Sequence, residues 1–110
     1  MSQTAEQEAM RRSVQREADQ QVIRDLEQVR LAKAEVLDGG TDYSEIDARY
    51  VNVFRAYGID FDVLDVDEAA ERVRQSTVRS QLTAFLDDWA LVRRQSRGKD
   101  DTAWMKLLAV

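Results

Sequence analysis

What most constrains this chain is the scarcity of residues that interrupt a helix. Its 110 residues contain no proline and four glycines. Proline removes a backbone donor and glycine costs backbone entropy, so these two most readily end a helix. Residues 5–37 contain neither. Ala, Leu, Glu, Gln and Arg are plentiful, and all of them favour helix. The fold class expected is all-α. A long N-terminal helix over about 5–37 packs on a small bundle of helices over about 45–57, 66–75, 77–95 and 101–109.

The apolar spacing supports those spans. Met10, Val14, Ala18, Val22, Leu26 and Val29 step by fours and one three, with Ile23 and Leu37 beside that line. The stripe is narrow before Val22, where Gln, Glu and Arg predominate. Residues 1–21 therefore read as a polar helical extension, and residues 22–110 as one helical domain. The extension could pair with another chain as a coiled coil, although its spacing drifts from a 3.5-residue period.

Asp38-Gly39-Gly40 should stop the first helix through a left-handed glycine. Asp42 with Glu45, or Ser44 with Asp47, resembles a capping box for the second. In that helix Ile46, Tyr50, Val53, Phe54 and Tyr57 share one face, and Gly58 is the natural stop. Ile59, Phe61 and Leu64 alternate with acids in a stretch expected to be an extended linker pinned into the core. Asp65 with Glu68 opens a short third helix. Ser76 or Thr77 should cap the fourth, whose stripe of Val78, Leu82, Phe85, Leu86, Trp89 and Val92 is wide enough to be covered from more than one side. This is the expected central helix. Asp100 or Asp101 caps the last helix, which carries Ala103, Trp104, Leu107 and Leu108. The chain stops at Val110 inside an apolar helical pattern without a cap, which suggests continuation into a following module.

Chemistry is tightly restricted. Cysteine and histidine are both absent. Their absence excludes disulfides, thiolate metal sites and the triads built on histidine. No cofactor, metal or catalytic residue is expected. The acids from Asp60 to Glu71 resemble a calcium loop only in part, with Asp60 at its first position. Leu64 and Asp65 then stand where a ligand and the turn glycine are needed, so the match fails. Asp87 and Asp88 are helical neighbours pointing about 100° apart. They do not make a paired-carboxylate site, and a salt bridge to the Arg-rich segments is the expected role. Trp89 and Trp104, Tyr50 and Tyr57 all lie on apolar stripes and read as core.

The charge is unevenly spread. Residues 38–71 hold ten acids against Arg49 and Arg55, whereas residues 72–99 hold seven bases against Asp87 and Asp88. The leading reading is an acidic half folded beside a basic half. The alternative is a basic surface of Arg72, Arg74, Arg79, Arg93, Arg94 and Arg97 that meets an acidic partner or nucleic acid. The formal charge of −5 argues against general nucleic-acid affinity. No run of about 18 apolar residues is present to span a membrane, and the polar, acidic start does not read as a signal peptide. A cytoplasmic location is expected. An extracytoplasmic position in a membrane-anchored parent protein also fits these residues.

Four segments carry a family resemblance. They are Gln28-Val29-Arg30-Leu31-Ala32-Lys33-Ala34-Glu35-Val36, Tyr50-Val51-Asn52-Val53-Phe54-Arg55-Ala56-Tyr57-Gly58-Ile59-Asp60, Leu64-Asp65-Val66-Asp67-Glu68-Ala69-Ala70, and Leu86-Asp87-Asp88-Trp89-Ala90-Leu91-Val92-Arg93-Arg94. Together they resemble the helical linker of large bacterial multidomain serine/threonine kinases, between an N-terminal kinase domain and C-terminal tetratricopeptide-type repeats. The resemblance covers roughly residues 22–110. That family usually has proline after the aspartate preceding the Glu-Ala-Ala helix. Val66 stands there in this chain, which should weaken the helix start without changing the fold. No glycine-rich loop, His-Arg-Asp or Asp-Phe-Gly motif is present. The resemblance therefore implies a non-catalytic connector acting through helix–helix contacts or self-association. Its candidate interaction residues are Val14, Val22, Leu26 and Val29 on the first helix, and Trp104, Leu107 and Leu108 on the last.

Overall fold

A computed structural model describes residues 2–98 and 100–110, and for Ser2 the backbone alone. The protein is all-α. Its described elements are α1 (Ser2–Lys33), a 3-10 turn (Ala34–Val36), α2 (Tyr43–Tyr57), α3 (Val66–Gln75), α4 (Arg79–Arg97) and α5 (Ala103–Ala109). Met1 and Lys99, counted above in the extension and in the basic segment, lie outside the described residues.

Local chemistry sets most of the boundaries. Asp42 accepts a hydrogen bond from the Glu45 amide at 2.9 Å and opens α2. Asp65 accepts one from the Glu68 amide at 2.8 Å and opens α3. Each satisfies a first-turn N–H that has no partner within the helix. Gly58, with φ 107°, ends α2. The Gly58 amide bonds to the Arg55 carbonyl and the Ile59 amide to the Phe54 carbonyl, closing the turn as a Schellman motif.

Several boundaries differ from expectation, α2 starting at Tyr43 and α5 at Ala103 among them. α1 ends at Lys33, because Ala34 and Glu35 are exposed and the buried stripe stops at Val29. Leu37 is left 89% exposed. The glycine turn works as expected but follows the 3-10 segment, with Gly39 at φ 79°. α4 starts at Arg79 rather than Thr77, since the Thr77 hydroxyl donates to Asp19 of α1 instead of capping its own helix. The stretch after Ile59 is a turn rather than an extended linker. The Asp60 side chain accepts from the Asp62 amide at 3.1 Å, and the Leu64 amide returns to the Asp60 carbonyl at 2.9 Å. Ile59 and Phe61 are nevertheless buried, and Leu64 is half-buried.

α4 touches each of the other four helices. Its buried face, Leu82, Phe85, Leu86, Trp89, Ala90 and Val92, receives Val22, Leu26 and Val29 from α1 and Ile46, Tyr50 and Phe54 from α2. The Trp89 ring lies at the centre. Tyr50 and Phe54 stack on it at centroid distances of 5.7 and 5.3 Å, and Phe61 meets it edge-on at 5.5 Å. Offset and edge-on arrangements are the favoured aromatic geometries. Trp89 is therefore a core residue, as its stripe position implies.

Residues 3–17 of α1 are all exposed. A helix of 32 residues is about 48 Å long at 1.5 Å per residue. It accounts for most of the longest dimension of the molecule, 56 Å against 29 and 20 Å for the others.

Candidate interaction surface

Three buried or half-buried carboxylates hold the helices in place. Asp47 on α2 accepts from Trp89 Nε1 at 2.6 Å and from Arg93 Nε at 2.9 Å. Arg97 Nη2 lies 3.5 Å from its other oxygen. Arg93 is 2% exposed, its guanidinium sits 4.7 Å from the Trp89 ring centroid, and its Nη1 reaches Asp62 at 3.4 Å. Asp88 on α4 accepts from Lys33 at the end of α1 and from the Tyr50 hydroxyl. Burial, together with that bond to Asp88, pushes the Tyr50 hydroxyl far above its ordinary range.

The third tie is Asp19 on α1. It accepts from Gln15, Tyr57 and Thr77, so three elements converge on one carboxylate. Burial acts to raise the Asp19 pKa, but the bonds from Thr77, Tyr57 and Gln15 outweigh it and hold the carboxyl below its usual value. Burial, then the Asp19 contact, raises Tyr57.

These ties relocate several residues expected at the surface. Val22, Leu26, Val29 and Leu107 are buried within the chain and cannot meet a partner. The reason is that α2 and α4 cover the wide part of the α1 stripe, and α4 covers α5. Val14 and Leu108 remain open, at 64% and 52% exposure. Trp104 is half-buried, with the Arg94 guanidinium 5.1 Å from its ring centroid.

Of the six candidate surface arginines, Arg93 is in the core. The others are exposed, but they already contact the chain. Arg72 donates to the Gly58 carbonyl, Arg74 to Glu71, and Arg79 to the Arg74 carbonyl. Arg94 covers Trp104, and Arg97 approaches Asp47. Pairing of Arg93 with Asp47 and Asp62 joins the acidic and basic halves, as the charge distribution suggested. Asp88 does not pair with the Arg-rich segments, because its position on α4 faces Lys33 and Tyr50. Asp87 is exposed.

Several of the acids between Asp60 and Glu71 are engaged within the chain. Asp60 bonds to Arg55 at 3.0 Å, Asp62 approaches Arg93, and Asp65 caps α3. Among the described residues, no group of three or more acids stands together in a way that could hold a metal ion.

The surface feature that sequence reasoning missed is an open groove of about 700 Å³ between α1 and the turn before α4. Half-buried Ile23 and Val78 supply its apolar lining, while exposed Arg12, Arg16 and Arg24 bring three positive charges. Asp19, already accepting from Gln15, Tyr57 and Thr77, brings one negative charge to the same lining. Arg12, Arg16 and Arg24 do recur on one face of α1, at spacings of four and eight, but Val78 comes from a segment that nothing local connects to them. Among the described residues, no helix is long and apolar enough to cross a membrane. No family model, curated protein or solved structure matches this chain.

Proposed function

We propose that this chain is a non-catalytic helical interaction module that works through helix–helix contacts. In its parent protein it would connect a kinase domain to tetratricopeptide-type repeats. The connector role rests on the resemblance across residues 22–110, strongest at Tyr57-Gly58-Ile59-Asp60 and Leu86-Asp87-Asp88-Trp89-Ala90. The interaction role rests on one observation. α1 extends through residues 3–17 with no side chain buried, carrying Met10 and Val14 in the open at 68% and 64% exposure. A helix of that length gains little from propensity alone and is marginal in water without packing. An external contact would supply the packing.

Amide hydrogen exchange tests the interaction role. In the intact parent protein, residues 3–17 should exchange at least tenfold more slowly than in the isolated chain, the mark of a segment ordered by contact. Equal rates in the two would remove it. Sequencing the coding region on either side tests the connector role. A kinase domain upstream and repeats downstream are expected, and any other flanking domains would remove that role.

A further inference from the structure

The groove beside α1 and the turn after α2 have complementary chemistry. The groove combines the apolar side chains of Ile23 and Val78 with the positive charges of Arg12, Arg16 and Arg24. The turn presents Val63 at 79% exposure, and Asp62, Asp65 and Asp67 beside it in the sequence are exposed. An exposed apolar knob flanked in sequence by acids, of which Asp62 also approaches Arg93 and Asp65 also caps α3, thus stands on the same molecule as an apolar groove bordered by guanidinium groups.

The knob is rigidly held. Both the Val63 and Leu64 amides bond back to the Asp60 carbonyl, at 3.2 and 2.9 Å. Lys106 of α5 donates to the carbonyls of Phe61 and Leu64. Phe61 is buried against Trp89 and Phe54. A preorganised loop loses little freedom on binding. The same ties keep the knob beside α5, away from the groove of its own chain, which stays open.

We propose that the groove receives the Val63 turn of a second copy of this chain, giving weak head-to-tail association. This rests on the reading of the chain as an interaction module and names its partner. Opposite charges at the two patches favour encounter and fix register. Because knob and groove are different surfaces, the contact is heterologous: each added copy leaves one of each free. An interface built on one turn belongs to the small, transient class.

Sedimentation velocity on the whole chain, from about 10 µM to about 1 mM, spans the range in which such a contact titrates. The mass should rise steadily with concentration and fall back as salt screens the charges. Two variants with exposed substitutions separate the halves: Val63→Ser disables the knob, and Arg16→Glu with Arg24→Glu disables the groove. Each alone should remain monomeric, at least about tenfold weaker in association, with unchanged helical circular dichroism. Mixed in equal amounts they should form a one-to-one dimer that grows no further, since one intact knob faces one intact groove.

A wild-type chain that is strictly monomeric at about 1 mM overturns the proposal, as does a mixture that stays monomeric. Association unaffected by either variant also overturns it and assigns self-contact to another surface. In each of these cases, slowed exchange of residues 3–17 in the parent protein would leave the interaction module standing with a different partner.

Discussion

Replacing Asp47 with alanine would leave the buried Arg93 guanidinium with only its 3.4 Å approach to Asp62 and deprive Trp89 Nε1 of its acceptor. Removing one partner of a buried ion pair typically costs ~3–5 kcal/mol, and urea unfolding should show a loss of that size. Arg93→Met should cost clearly less, because Asp47 keeps its bonds to Trp89 and Arg97 and the methionine fills the space. Equal losses would mean that the carboxylate is not the centre of the cluster. Asp19 gives a second test, in pH. Its carboxyl titrates below the ordinary value of 3.8 in the folded chain. As pH falls below that value, the unfolded chain takes up the proton first, so stability declines from about pH 4 downward and is fully present above it. Thermal unfolding of Asp19→Asn should show a shallower decline between about pH 4 and pH 2 than wild type. It should also start from a lower melting temperature at neutral pH. Asp60, Glu45 and Glu71 are depressed too, by their own hydrogen bonds, so part of the acid sensitivity should remain.

At the scale of the helices, local and distant information separate cleanly. The starts of α2 and α3 were readable because capping involves residues three apart, Asp42 with Glu45 and Asp65 with Glu68. The centrality of α4 was readable from a stripe too wide for one neighbour. The polar ties were not, since Asp47 and Trp89 stand 42 positions apart and Lys33 and Asp88 stand 55 apart. Yet a sign of them was present. Leu82, Leu86, Trp89 and Arg93 follow i, i+4, i+7 and i+11, which places Arg93 on the buried face despite its basic neighbours. Asp19 likewise falls three residues before Val22 and seven before Leu26. A charge in step with an apolar stripe marks a buried partner better than local charge density does. α1 itself divides at this boundary. Leu26→Ala should cost ~2–5 kcal/mol as a core truncation, whereas Val14→Lys should change stability by no more than about 0.5 kcal/mol. Chemical denaturation of the two variants checks the contrast, and a large loss at Val14 would mean that the extension packs on the domain.

The whole molecule is elongated. Its Cα radius of gyration is 15.8 Å, against the ~13 Å of a globule near this size. The excess comes from a single helix that is anchored at one end and free at the other, with no glycine or proline between. Where its free part is held helical, such a helix has no joint, so its two ends share one rotational phase. Arg12 and Arg16 belong to the free part, and Ile23 and Arg24 to the anchored part, yet together they line one groove. One residue inserted between Arg16 and Asp19 would turn the free part by about 100° and advance it about 1.5 Å. Seven would bring it back within about 20° of its starting angle, further along the axis. Spin labels at Arg12→Cys and Arg79→Cys should report this as a distance that oscillates with insertion length on top of a steady increase. A monotonic increase alone would show that the helix does not transmit its angle. With the oscillation, α1 acts as a rigid shaft. Any domain joined in helical register to its free end would then have its angular setting fixed by the length of the helix, counted in residues.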